Sequence, residues 1–127
     1  MKNNGDLAQK WLKMADEEFA VARRLTDEGI GFAAACFHSQ QAAEKALKAW
    51  LIAHDLRPEK THRLEKLITG CVQVEPRFSE VVADSVALTE YAIERRYDVD
   101  FWPSFDQART ALEQARRICD FVKKHWS

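Results

Sequence analysis

Apolar positions in this chain recur with a period close to ~3.6 and nowhere with a period of two, so the elements predicted are helices. The first runs from about Asp6 to Glu28, where Leu7, Trp11, Met14, Ala15, Ala22 and Leu25 make one stripe. Asp6 and Gln9 stand at capping-box spacing at its start, and Gly29 and Gly31 end it. Glu18 falls inside the stripe, and a carboxylate there needs a partner to offset the cost of leaving water. A second helix is predicted from about Phe32 to His54. At about 100° per residue, Phe37, Gln41, Glu44, Lys48 and Leu51 share one face, flanked by Gln40 and Ile52. Ala42, Ala46, Ala49 and Ala53 form a small-residue face that permits close helix approach, and Ala43, Leu47 and Trp50 cover a third side. The polar groups of this helix interrupt an apolar stripe; they have no solvent side of their own.

Pro58 marks the next turn, and Thr61 is the predicted N-cap of a third helix with the stripe Leu64, Leu67, Ile68 and Cys71. Pro76 separates it from a fourth, about Arg77 to Arg96, which aligns Phe78, Val82, Ser85, Thr89, Ala92 and Arg96, with Arg95 turned toward the edge. Pro103 breaks the chain again. Ser104 and Gln107 then offer a second capping box for a fifth helix, whose apolar line is Phe105, Ala108, Leu112, Ala115, Cys119, Val122 and Trp126. The expected fold is all-α, an antiparallel up-and-down bundle of four to five helices in a single domain over residues 1–127, with 1–5 flexible.

Composition narrows the function classes. With 46% apolar and 31% charged residues the chain is globular, and its net charge of -1 argues against a nucleic-acid binder held by bulk positive charge. No apolar run reaches the length of a membrane span and MKNNGDLAQK carries no signal-peptide core, so a cytoplasmic protein without membrane partners is expected. Cys36, Cys71 and Cys119 are far apart, without metal-ligand spacing, and fit buried reduced thiols.

Three polar groups carry candidate chemistry. Gln40, Gln41, Glu44, Lys45 and Lys48 either pair along the helix surface or line a groove in which amides read a ligand and lysine neutralises it. Thr61-His62 at a helix start either caps the helix beside a solvated histidine, or binds phosphate and moves a proton. Arg96-Tyr97-Asp98 either holds a phosphate through the guanidinium or neutralises Glu18 or Glu44. Glu59 and His62 occur once at Glu-x-x-His spacing, whereas a di-iron bundle needs repeated pairs; P-loop, nucleophile-elbow and zinc spacings are missing, so neither a metal nor a cofactor is expected. Arg109, Arg116, Arg117, Lys123 and Lys124 read as a solvated basic face.

The chain resembles the HEPN domain family over about Leu7 to Val122. The resemblance is carried by Trp11-Leu12, Ala15 and Glu18, by the run CFHSQQAAEKALKA from Cys36 to Ala49, by Lys60-Thr61-His62-Arg63-Leu64 with Leu67, and by Arg96-Tyr97-Asp98. QQAAEKALKA is its most specific part. The resemblance implies a four- or five-helix bundle, commonly a homodimer, cytoplasmic, and often encoded beside a small nucleotidyltransferase with which it acts as a toxin–antitoxin pair. Many family members are metal-independent ribonucleases marked by an arginine followed, after four to six residues, by a histidine. From Arg95 or Arg96 that histidine would fall within Asp100 to Pro103, which reads Asp-Phe-Trp-Pro. The ribonuclease signature is therefore incomplete. What the resemblance implies first is a nucleotide-, RNA- or partner-binding module with Gln41, Glu44, Lys48, His62 and Arg96 in a groove, and Glu18, Gln40, Lys45, Tyr97 and Asp98 as supporting polar groups. A ribonuclease using Arg96 and His62, and a purely structural dimerisation domain, are the alternatives.

Overall fold

The computed structural model describes residues 4–92 and 98–127. Its elements are α1 (Asn4–Glu28), α2 (Phe32–Ala53), α3 (Leu64–Val74), a 3-10 segment (Pro76–Val81) continuing into α4 (Val82–Thr89), and α5 (Phe105–Lys124). Arg95, Arg96 and Tyr97, named above, lie outside the described residues. No described helix is long and apolar enough to cross a membrane.

The chain reverses after α1 through Gly29 and Gly31, whose φ angles of 71° and 59° lie in the left-handed region that glycine adopts without a Cβ penalty. At Gly31 a Cβ would also approach Leu25 Cδ2 to 3.3 Å. α1 and α2 are consequently antiparallel, and Asn4 Nδ2 donates to Asp55 Oδ1 at 2.7 Å where the start of one meets the end of the other. α5 lies along α2: Phe32 meets Phe105 at 5.9 Å at one end, and the Trp50 indole donates to the His125 carbonyl at 2.8 Å at the other. After α2, residues 54–63 return along the bundle, so that His62 comes back beside Gln40. α3 then descends with α2, and α4 climbs back until Thr89 meets Leu64. Taken in order, α1, α2, α4 and α5 alternate in direction, with α3 inserted in the second connection.

α2 is the central element. Ala42, Ala46 and Ala49 are fully buried and let its neighbours approach closely, while Trp50, Phe78 and Phe121 form the aromatic centre of the core, with centroids 4.7 Å apart for both Trp50–Phe78 and Phe78–Phe121. The three cysteines are free and buried, and burial pushes each thiol up to about 12, so none is a nucleophile near neutral pH.

Several predicted boundaries shift. α1 begins at Asn4, so Asp6 sits inside its first turn, where a negative charge suits the helix dipole, and not at the cap. The deepest stripe of α1 is Ala8, Ala15, Ala22 and Thr26, and Met14 stands 37% exposed. Thr61 is not the cap of α3: Arg63 is still extended, the Thr61 hydroxyl accepts from the Arg63 N–H at 3.1 Å, and the orphan Leu64 N–H donates to Thr89 Oγ1 of α4. The predicted fourth helix starts as a 3-10 segment, capped by the Glu75 carboxylate, which accepts from both the backbone and the guanidinium of Arg77, and its regular part ends at Thr89. The Ser104–Gln107 capping box forms in both directions, at 2.9 and 3.1 Å.

Candidate functional site

Gln40, Glu44 and Lys48 follow one another at single-turn intervals along α2, facing the returning segment before α3. Glu44 is almost fully buried, its side chain 5% exposed, and would be costly there without partners. It has three. Oε2 accepts from Lys48 Nζ at 3.1 Å, while Oε1 accepts from Gln40 Nε2 at 3.2 Å and meets His62 Nδ1 at 3.0 Å. Gln40, itself fully buried, also donates to the His62 carbonyl at 3.0 Å and accepts from Gln41 Nε2 at 2.8 Å. Two contacts thus fix His62, one to its backbone and one to its ring. A carboxylate only accepts, so Nδ1 of His62 carries a hydrogen toward Glu44, and Nε2 is left to accept in the neutral ring or to donate in the imidazolium. The His62 side chain is 48% exposed and lines a groove of about 510 Å³ together with Lys60, Thr61, Arg63, Thr89 and Ala92. Lys48 adds a cation–π contact, 5.7 Å from the centre of the Trp11 ring.

A second cluster spans the α1–α2 seam. Glu18, placed by its position within the α1 stripe, meets His38 Nδ1 at 2.6 Å and the Lys45 ammonium. The predicted need of Glu18 for a partner is therefore met from α2. Burial pushes the Glu18 carboxyl up, but the hydrogen bonds from Lys45 and His38 outweigh it and hold the group below its ordinary value. A carboxyl lowered on folding adds stability that is present above its unfolded-state value and is lost as pH falls through the folded one. Glu18→Gln should accordingly be less stable than the wild type at neutral pH, and the gap should close below about pH 4. Urea midpoints measured from pH 7 to pH 3 check this, and a constant gap would contradict it.

Gln40, Gln41, Glu44, Lys48 and His62 are thus gathered in one network, and Glu18 and Lys45 in a neighbouring one. Asp98 opens the loop before α5 and accepts from the Asp100 N–H at 2.9 Å. His38 was not singled out from the sequence. Its signal was its spacing of seven from Lys45, which puts both on one line of α2 facing the stripe that contains Glu18. Among the described residues no group of three or more histidine, cysteine or acidic side chains is arranged to hold a metal ion. The basic set on α5 is only partly a free solvated face, since Arg117 pairs with Asp84 at 2.8 Å and Lys123 with Asp16 at 2.7 Å.

Known proteins resemble this chain in sequence and in fold. The model of the HEPN domain matches residues 8–125. The crystal structure of TT1696 from Thermus thermophilus superposes with a TM-score of 0.77 at 28% identity, covering 92% of this chain and 96% of that one. The crystal structure of ST0689, an archaeal HEPN homologue, superposes with a TM-score of 0.78 at 26% identity over the full length of both chains. No functionally curated protein shows a significant match to the chain.

Proposed function

Because the chain belongs to the HEPN domain family, we propose that it is a binding module whose groove accepts the phosphate of a nucleotide or of RNA. The observation that carries this reading is the buried Glu44, which holds His62 at the wall of a groove bearing Lys60 and Arg63. Glu44 is spent on Lys48 and His62, and Arg63 pairs with Glu65 at 2.6 Å, so Lys60 is the groove cation left to face an incoming anion, and charge-assisted hydrogen bonds are the strong ones. In this reading Gln41, Lys48 and, by the family resemblance, Arg96 supply further donors. The module acts as a homodimer in the cytoplasm and forms one half of a two-component, toxin–antitoxin type system with a nucleotidyltransferase, as the family resemblance implies. Calorimetric titration with a panel of nucleotides, short RNA and the product of the neighbouring gene tests it. His62→Ala should weaken phosphate binding by roughly tenfold or more, the worth of one charge-assisted hydrogen bond. If no member of the panel binds the wild type, the proposal is wrong.

One observation favours a second reading. A histidine whose Nδ1 rests on a buried carboxylate presents Nε2 as a base, the arrangement used in general acid–base catalysis. A ribonuclease working this way would take the 2'-hydroxyl proton on His62 and stabilise the phosphate with Arg96. RNA cleavage by the wild type that disappears in both His62→Ala and Arg96→Ala would establish it.

A further inference from the structure

α2 and α5 end side by side, and each ends in a histidine. His54 is the C-cap of α2 and His125 the C-cap of α5. Each ring lies against an aromatic ring one turn earlier in its own helix: His54 on Trp50 with centroids 4.0 Å apart, His125 on Phe121 at 4.1 Å. The two ends are tied crosswise. The Trp50 indole donates to the His125 carbonyl at 2.8 Å, and His54 Nε2 lies 3.2 Å from the Trp126 carbonyl. A carbonyl only accepts, so Nε2 of His54 carries a hydrogen and Nδ1 is its uncommitted nitrogen. Neither ring nitrogen of His125 has a hydrogen-bond partner among the described residues. His38 and His62 each rest on a carboxylate; His54 and His125 are held by packing instead.

Both histidines line one cavity of about 420 Å³, together with Val74, Glu75, Arg77 and Lys124. It sits at the C-terminal end of α2, about 20 Å along the helix from Gln40 and the His62 groove. Its charges divide into a closed pair and an open set. Arg77 is taken up by Glu75, which accepts from its guanidinium at 2.8 Å. Those hydrogen bonds from Arg77 hold the Glu75 carboxyl down to about 2, so the pair stays closed wherever histidine titrates. Lys124, on the last turn of α5, is exposed and has no ion pair among the described residues. The neighbouring charges are engaged elsewhere: Asp55 accepts from Asn4 of α1, and Lys123 pairs with Asp16. What faces the cavity is one free ammonium and two imidazoles, each adding a positive charge and a second donor when protonated. We propose that this cavity is a pH-gated site for a small phosphate or sulfate ester, with the oxyanion held by Lys124 and the two imidazolium rings. The organic part of the ester lies against Val74, which is 49% exposed, and the volume is that of a small-molecule pocket.

Histidine-ring NMR on the intact chain, titrated with sodium sulfate against chloride at constant ionic strength, reads the site directly. Sulfate keeps its double charge throughout, so a pH dependence belongs to the protein. At about pH 5.5 the ring signals of His54 and His125, assigned with His54→Gln and His125→Gln, should shift saturably. The sulfate affinity should fall by roughly tenfold or more by about pH 8, the worth of one charge-assisted hydrogen bond. Lys124→Glu should weaken the affinity at the lower pH by a similar factor; the position is exposed, and far-UV circular dichroism verifies that the variant is folded. Glycerol phosphate should bind more tightly than inorganic phosphate. The ring of His62 reports the groove separately, so the two sites stand or fall apart. No saturable shift at His54 and His125, an affinity indifferent to pH or to Lys124→Glu, or an ester that binds no better than the bare ion would overturn the proposal.

Discussion

Trp50→Ala is expected to lower the unfolding free energy by about 4 kcal/mol, the largest effect of any single truncation in this chain. The side chain is 1% exposed at the junction of α2, the 3-10 segment and α5, stacked on His54 with centroids 4.0 Å apart and edge-on to Phe78 at 4.7 Å. Removing it opens a cavity that Phe78 and Phe121 cannot both relax into, because each is also packed against the other. Its N–H is a separate contribution. The bond to the His125 carbonyl ties the last turn of α5 to α2. Trp50→Phe keeps most of the packing and loses that bond, and should cost about 1–2 kcal/mol. Urea denaturation of both variants separates the two contributions. A loss below about 1 kcal/mol in Trp50→Ala would place the packing centre elsewhere.

Glu44→Ala is expected to cost about 3 kcal/mol. The damage is not the lost attraction itself. Lys48, 12% exposed, is left without its counter-charge, and the buried Gln40 loses one acceptor. Replacing both ends, Glu44→Leu with Lys48→Met, removes the charges together and should leave stability near that of the wild type or above it. The pair of measurements also decides between the groove and a purely structural role. If the double variant is stable but no longer binds phosphate, the Glu44–Lys48 pair is kept for the groove. A double variant that is stable and binds as before would show that the inward charges only satisfy one another.

What could be seen in the sequence was what the chain decides locally. Ser104 and Gln107 are three residues apart and cap α5 in both directions as their spacing predicts. The interruption of the α2 stripe by Gln41, Glu44 and Lys48 was visible from helical periodicity, and Glu44 and Gln40 are indeed buried. The errors arise where a distant residue does the work. No local pattern shows that Thr89 caps α3, so Thr61, the nearest threonine, took that role on paper. Nor does any pattern show that residues 54–63 return along the bundle, which is what delivers His62 to Glu44. His38 was overlooked for a related reason. A histidine next to a phenylalanine on a buried helix reads as packing until its partner, twenty residues earlier, is placed beside it.

The Thr89 hydroxyl has a consequence for how the molecule opens. It accepts from the first amide of α3 and donates to the Ser85 carbonyl inside α4, so one oxygen closes the ends of two helices. Neither end can fray while the other stays shut. The start of α3 and the last turn of α4 should therefore exchange their amide hydrogens as one cooperative unit, on a common free energy of local opening. Thr89 also lines the His62 groove, so a ligand seated there would register as slowed exchange deep in α4, at amides it never touches.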